Sequence, residues 1–66
     1  MKITLNGESR DLPEAATVAE MLDLLGYGAR RVAVELNRSV VPKSLHATQA
    51  LAEGDRVEII QAIGGG

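Results

Sequence analysis

The sequence predicts an α+β fold in which a single helix covers one face of a mixed sheet of four to five strands. The expectation has three sources: short segments whose apolar residues alternate with period two, one segment of helical periodicity opened by a capping signal, and glycine-containing turns between them. Sixty-six residues make one domain, near the lower size limit for folding without staples. Hydrophobic residues make up 45% of the chain, which suits a globular core, and Val, Ile, Leu and Ala supply almost all of them.

Lys2-Ile3-Thr4-Leu5-Asn6 alternates polar and apolar, the mark of a half-buried strand. Asn6-Gly7 supplies the positive-φ pair of a tight hairpin, and a second strand is expected from Glu8 to Leu12, ended by Pro13. Thr17 and Glu20 have capping-box spacing. Val18, Met21, Leu22 and Leu25 follow as one apolar stripe, with Gly26 and Gly28 closing the helix. Met21 in that stripe is core filler, and Tyr27 covers the helix end.

Val32 to Leu36 forms the third expected strand, with Val32, Val34 and Leu36 on one face. Asn37-Arg38 turns the chain into a short strand, Ser39-Val40-Val41, which Pro42 stops. Pro42 to Leu51 is expected to be irregular, with a helical turn near Ser44 to His46. After the turn Glu53-Gly54-Asp55, Arg56 to Ile59 alternates into the last strand with Val57 and Ile59 facing the core. Because a helix intervenes, the first and last strands are placed to be parallel neighbours at the centre of the sheet. This is the β-grasp, or ubiquitin-like, arrangement. The domain is expected over residues 1–63, followed by a flexible glycine tail over residues 64–66.

Composition excludes much. Without cysteine there are no disulfides, thiolate zinc sites or Cys nucleophiles. The formal charge of −2 and a lone Arg30-Arg31 basic pair, with no interleaved aromatics, speak against nucleic acid. No apolar run approaches the roughly eighteen residues of a membrane span, and no signal-peptide pattern opens the chain, so the expected compartment is the cytoplasm. A single histidine, His46, in a polar loop reads as a surface or partly packed side chain, and no metal site is expected. Glu53, Asp55 and Glu58 read as a solvated edge, not as paired catalytic carboxylates.

The most informative feature is the run Gly64-Gly65-Gly66 after an apolar strand. Glycines gain nothing in a core and lose the most backbone entropy on ordering. A frayed end and an expression scar are the bland readings of such a run. The favoured one is a thin stalk that carries the Gly66 carboxylate about 10 Å into a narrow active site that any Cβ would block. A carboxylate is a poor electrophile and must first become a mixed anhydride such as an acyl-adenylate. The chain has neither a Gly-rich phosphate loop followed by Lys-Ser/Thr nor a carboxylate cluster for Mg²⁺, so activation falls to a partner that binds ATP. The protein is then a carried substrate, not a catalyst. Ile60, Ala62 and Ile63 beside the tail are candidates for a docking patch; the alternative for Ile60 and Ala62 is burial by a bulge or register change.

Taken together, these elements resemble the thiamine-biosynthesis sulfur carrier family, the ThiS-like proteins, over essentially the whole chain. The resemblance is carried by Ile3-Thr4-Leu5-Asn6-Gly7, Thr17-Val18-Ala19-Glu20-Met21-Leu22, Val34-Glu35-Leu36-Asn37 and Val40-Val41-Pro42-Lys43. It continues through Glu53-Gly54-Asp55-Arg56-Val57-Glu58-Ile59-Ile60 to Ile63-Gly64-Gly65-Gly66. It implies that an adenylating enzyme related to ubiquitin-activating enzymes uses Mg-ATP to form an acyl-adenylate on Gly66. Sulfur drawn from cysteine through a desulfurase then displaces AMP, leaving a thiocarboxylate that thiazole synthase consumes. Gly64, Gly65 and Gly66 are the tail that enters both active sites, and the chain itself binds no cofactor. Relatives often place an aromatic after the Pro-Lys pair, where this chain has Leu45 and His46. The alternatives are the small subunit of molybdopterin synthase, whose aromatic, proline-rich stretch before the glycines is missing from Gln61-Ala62-Ile63, and a ubiquitin-like interaction module with a spectator tail.

Overall fold

In a computed structural model, which describes residues 1–28 and 30–61, the N-terminal alternation becomes strand β1 (Lys2–Leu5), paired antiparallel with β2 (Glu8–Asp11). Asn6 and Gly7 join them with φ of 49° and 84°. Two consecutive positive values are what a two-residue turn matching the strand twist requires. Asn37 and Arg38 repeat the device, at 50° and 73°, between β3 (Val32–Leu36) and β4 (Ser39–Val41). The last strand, β5 (Arg56–Gln61), runs two residues beyond the expected Ile59.

The sheet order is β2-β1-β5-β3-β4. β5 lies at the centre, parallel to β1 and antiparallel to β3, as the intervening helix demands. Both edges are short strands. Every residue of β2 is exposed, and its Glu8, Arg10 and Asp11 blunt the edge against further pairing.

Helix α1 (Val18–Leu24) opens on the expected capping box. The Glu20 amide donates to Thr17 Oγ1 at 3.2 Å, and the Thr17 amide donates to Glu20 Oε1 at 2.8 Å. The next free donors of the first turn are taken by the irregular segment after β4. The Val18 amide donates to the Gln49 carbonyl (2.9 Å) and the Ala19 amide to that of His46 (2.8 Å). The helix start is thus filled by the chain itself and has no donors left for an anion. At the other end the Tyr27 amide reaches back to the Leu22 carbonyl and that of Gly26 to Asp23. This Schellman pattern needs a left-handed residue, supplied by Gly26 at φ 86°.

Val18, Met21 and Leu22 pack over Ile3, Leu5, Val34, Val57 and Ile59 to form the core, and Val18, Met21, Val34 and Val57 have essentially no exposed surface. Leu25, Tyr27, Val32 and Leu36 close its margin. The remaining apolar surface is covered from the connections, by Leu12, Ala16, Val41 and Leu51.

One expectation is corrected. His46 is buried, at 9% exposure, and not the surface or partly packed loop side chain that the sequence suggests. The helical turn spans Lys43–Leu45, one residue earlier than expected, and makes His46 its C-cap. The ring then lies within the fold, where Nε2 donates to the Val41 carbonyl at 3.0 Å. That bond meets the requirement that a buried polar group be paired.

Candidate functional site at the end of the central strand

β5 is the strand from which residues 62–66 continue, so what holds β5 sets how that segment is presented. On one flank β3 pairs with it along its length, from Leu36 opposite Val57 to Val32 opposite Gln61. On the other flank β1 is shorter, reaching only Leu5 opposite Val57. The gap is closed by a side chain. Asn6 Oδ1 accepts from the Ile59 amide at 2.9 Å, while its Nδ2 lies 3.5 Å from the Ile59 carbonyl. The carboxamide, whose outline matches a peptide group, extends the ladder one rung past the end of β1.

A second turn asparagine braces the start of the strand. Asn37 Oδ1 accepts from the Arg56 amide at 2.9 Å, Asn37 Nδ2 donates to Asp55 Oδ1 at 3.1 Å, and the Asn37 amide donates to the Arg56 carbonyl at 2.7 Å. Nothing in the local sequence beyond a hairpin signal points to either clamp, because the partners lie far along the chain.

The acidic residues weighed as catalytic pairs have structural work instead. Glu53 Oε1 accepts from the Lys2 amide at 2.9 Å, and Asp55 Oδ2 accepts from the Ala52 amide at 2.8 Å, fixing the turn before β5. Glu58 sits on the open face of the sheet directly opposite Glu35. Both are half-buried, and among the described residues neither forms an ion pair. No group of His, Cys, Asp and Glu suited to a metal ion occurs among the described residues.

Ile60 falls on the same open face, opposite Ala33 in β3, and is 54% exposed. Its ladder pairing runs unbroken to Gln61, so no bulge tucks it in. Val40, opposite Glu35 on β4, is 67% exposed. The open face thus carries exposed aliphatics around a carboxylate pair, a composition fit for a partner surface. Of the other expected site residues, Ala62, Ile63, Gly64, Gly65 and Gly66 lie outside the described residues.

The sequence model of the ThiS family matches residues 3–66. The chain belongs to the ThiS family. Its β-grasp architecture agrees with the crystal structure of the thiamine biosynthesis protein ThiS from Geobacter metallireducens, at a TM-score of 0.85 and 33% identity, with both chains covered in full. The sulfur carrier protein ThiS of Escherichia coli (strain K12) is 29% identical over the whole of both chains. A thiazole synthase of Paramagnetospirillum magneticum is 47% identical over all 66 residues, but the chain spans only 20% of that protein's length. Among the described residues, no helix of this ThiS-family chain is long and apolar enough to cross a membrane.

Proposed function

We propose that the chain is a sulfur carrier of thiamine biosynthesis, a protein cosubstrate whose working group is the Gly66 carboxylate. The observation that carries the reading is the union of a ThiS-family chain with a glycine run that begins three positions past the end of the central strand of the sheet. β5 is held on both flanks and clamped at Ile59, and the glycines at 64–66 have no side chain to bar entry to a narrow site.

In the proposed chemistry, a partner enzyme binds Mg-ATP and joins the Gly66 carboxylate to AMP, releasing pyrophosphate. A desulfurase draws the sulfur from cysteine as a persulfide. A thiol reductant cleaves that persulfide to hydrosulfide while itself ending in a disulfide, and the hydrosulfide attacks the acyl carbon. The C–S bond forms as the bond to AMP breaks, leaving a thiocarboxylate. Thiazole synthase then takes the sulfur. Support for that partner comes from the thiazole synthase that contains a stretch 47% identical to this chain. Ile60, with Ala62 and Ile63 beyond it, is proposed as the docking patch that brings the tail to these enzymes. The reaction is placed in the cytoplasm, where its ATP is found.

The test is the intact mass of the protein after incubation with the adenylating enzyme, Mg-ATP and a sulfur source. A gain equal to one oxygen exchanged for one sulfur, absent when Gly66 is deleted, is the expected result. No gain, with the same enzyme active on another carrier, would overturn the reading in favour of a ubiquitin-like interaction module.

A further inference from the structure

A cleft of about 650 Å³ opens between α1, residues 30–33, residues 43–47 and the end of β5. Its floor includes Leu22 and His46, both buried, and the half-buried Val32. Arg30, Arg31 and Lys43, all exposed, stand on its rim. Lys43 is distant in sequence from the arginine pair, so only the fold gathers the three. Among the described residues Asp23 is the one carboxylate lining the cleft, which leaves a balance of +2 in a chain whose formal charge is −2. Four of the seven cations and eight of the nine acids lie elsewhere, a balance of −4. Charge is therefore segregated. Among the described residues none of the three cations is in an ion pair, whereas Lys2 and Arg10 are paired with Asp11 and Glu8.

Position supplies the second argument. Ile60 and Gln61, the last described residues of β5, line the same cleft. Five residues follow Gln61, and a fully extended chain of that length spans at most about 17 Å. Any enzyme that acts on Gly66 must therefore bring the mouth of its active site within that distance of this rim.

We infer that the cleft seats an acidic segment, with one apolar side chain among its carboxylates, of an enzyme that takes up the tail. The inference rests on the carrier reading above. A free anion answers the cations but leaves the apolar floor wet, and the helix start that could have added backbone donors is already filled. A polypeptide segment covers the floor and meets the charges together.

The test compares binding of the intact protein to purified adenylating enzyme and thiazole synthase with that of the double variant Arg31→Glu/Lys43→Glu. Arg38→Glu, at the β3–β4 turn, serves as the charge-reversal control, and an NMR spectrum of each variant verifies the fold. The double variant is expected to weaken binding to at least one enzyme about ten-fold or more and to flatten its salt dependence, with Arg38→Glu unchanged. Wild-type affinity of the double variant for both enzymes overturns the inference while leaving the carrier reading intact. Failure of the wild-type protein to bind either enzyme brings down both. Two further results reassign the cleft and so also overturn the proposal. One is a titration with inorganic pyrophosphate that shifts the Arg30, Arg31 and Lys43 resonances. The other is a concentration-dependent dimer, lost in the double variant, which would make a second copy the occupant.

Discussion

Replacing Asn6 separates two jobs that one side chain performs. The residue holds a φ of 49°, and its carboxamide brackets Ile59 across 53 positions of sequence. Asn6→Ala loses both. A left-handed backbone costs an ordinary residue with a Cβ roughly 1–2 kcal/mol, and Ala pays about 1 kcal/mol more of it than Asn, whose short polar side chain eases that conformation. The lost bond to the Ile59 amide adds about 1 kcal/mol. The sum of about 2 kcal/mol lowers the melting temperature of a domain this small by about 10 °C. Asn6→Gly relieves the backbone and loses only the bracket, so about 1 kcal/mol is expected. Asn6→Asp keeps an acceptor for the Ile59 amide and tolerates the turn, and should stay within about 0.5 kcal/mol of the parent. Urea unfolding measures the totals, and amide hydrogen exchange locates them. In Asn6→Gly the Ile59 amide should exchange about ten-fold faster than the change in global stability accounts for, because its opening no longer breaks a bond to β1's end. Two results would refute the reasoning: an Ile59 amide that merely follows the other β5 amides, or an Asn6→Asp variant as unstable as Asn6→Ala.

Met21→Ala should cost about 2–5 kcal/mol in urea unfolding, since the side chain is fully buried beneath the helix and the surrounding sheet can collapse only partly. Gly26→Ala should cost about 1–2 kcal/mol; a Cβ there meets nothing within 4 Å, so the whole loss is the left-handed backbone and a stability near the parent's would contradict the Schellman assignment. Ile60→Lys should leave stability within about 0.5 kcal/mol of the parent, because the side chain is over half exposed, yet weaken binding to the adenylating enzyme as measured by calorimetry.

Most of the fold was legible because its signals are local. Asn6-Gly7 and Asn37-Arg38 are turn chemistry, Thr17 and Glu20 are three residues apart, and alternation marks Ile3, Leu5, Val34, Val57 and Ile59 as one face. What the residues could not announce is who meets whom at long range. His46 reads as polar loop until the turn at Lys43–Leu45 is seen to carry it inward. The asparagine clamps on Arg56 and Ile59 join positions 19 and 53 residues apart, and no local pattern encodes them. Of the candidate site, Ile60 was legible as outward-facing from period two alone, but its extra rung of pairing depends on β3 starting as early as Val32, opposite Gln61. Arg30-Arg31 looked too sparse to matter because its third member, Lys43, arrives from beyond two strands.

The central place of β5 has a mechanical consequence. Its ladder bonds run across the strand, so a pull along the strand axis on residues beyond Gln61 loads them in shear. They must then give way together, on the β1 flank and the β3 flank at once, with the Asn6 bracket as the rung nearest the load on one side. An edge strand such as β2 has a single flank to hold it. A load applied beyond Gln61 therefore spreads into the sheet instead of unravelling the strand from its end.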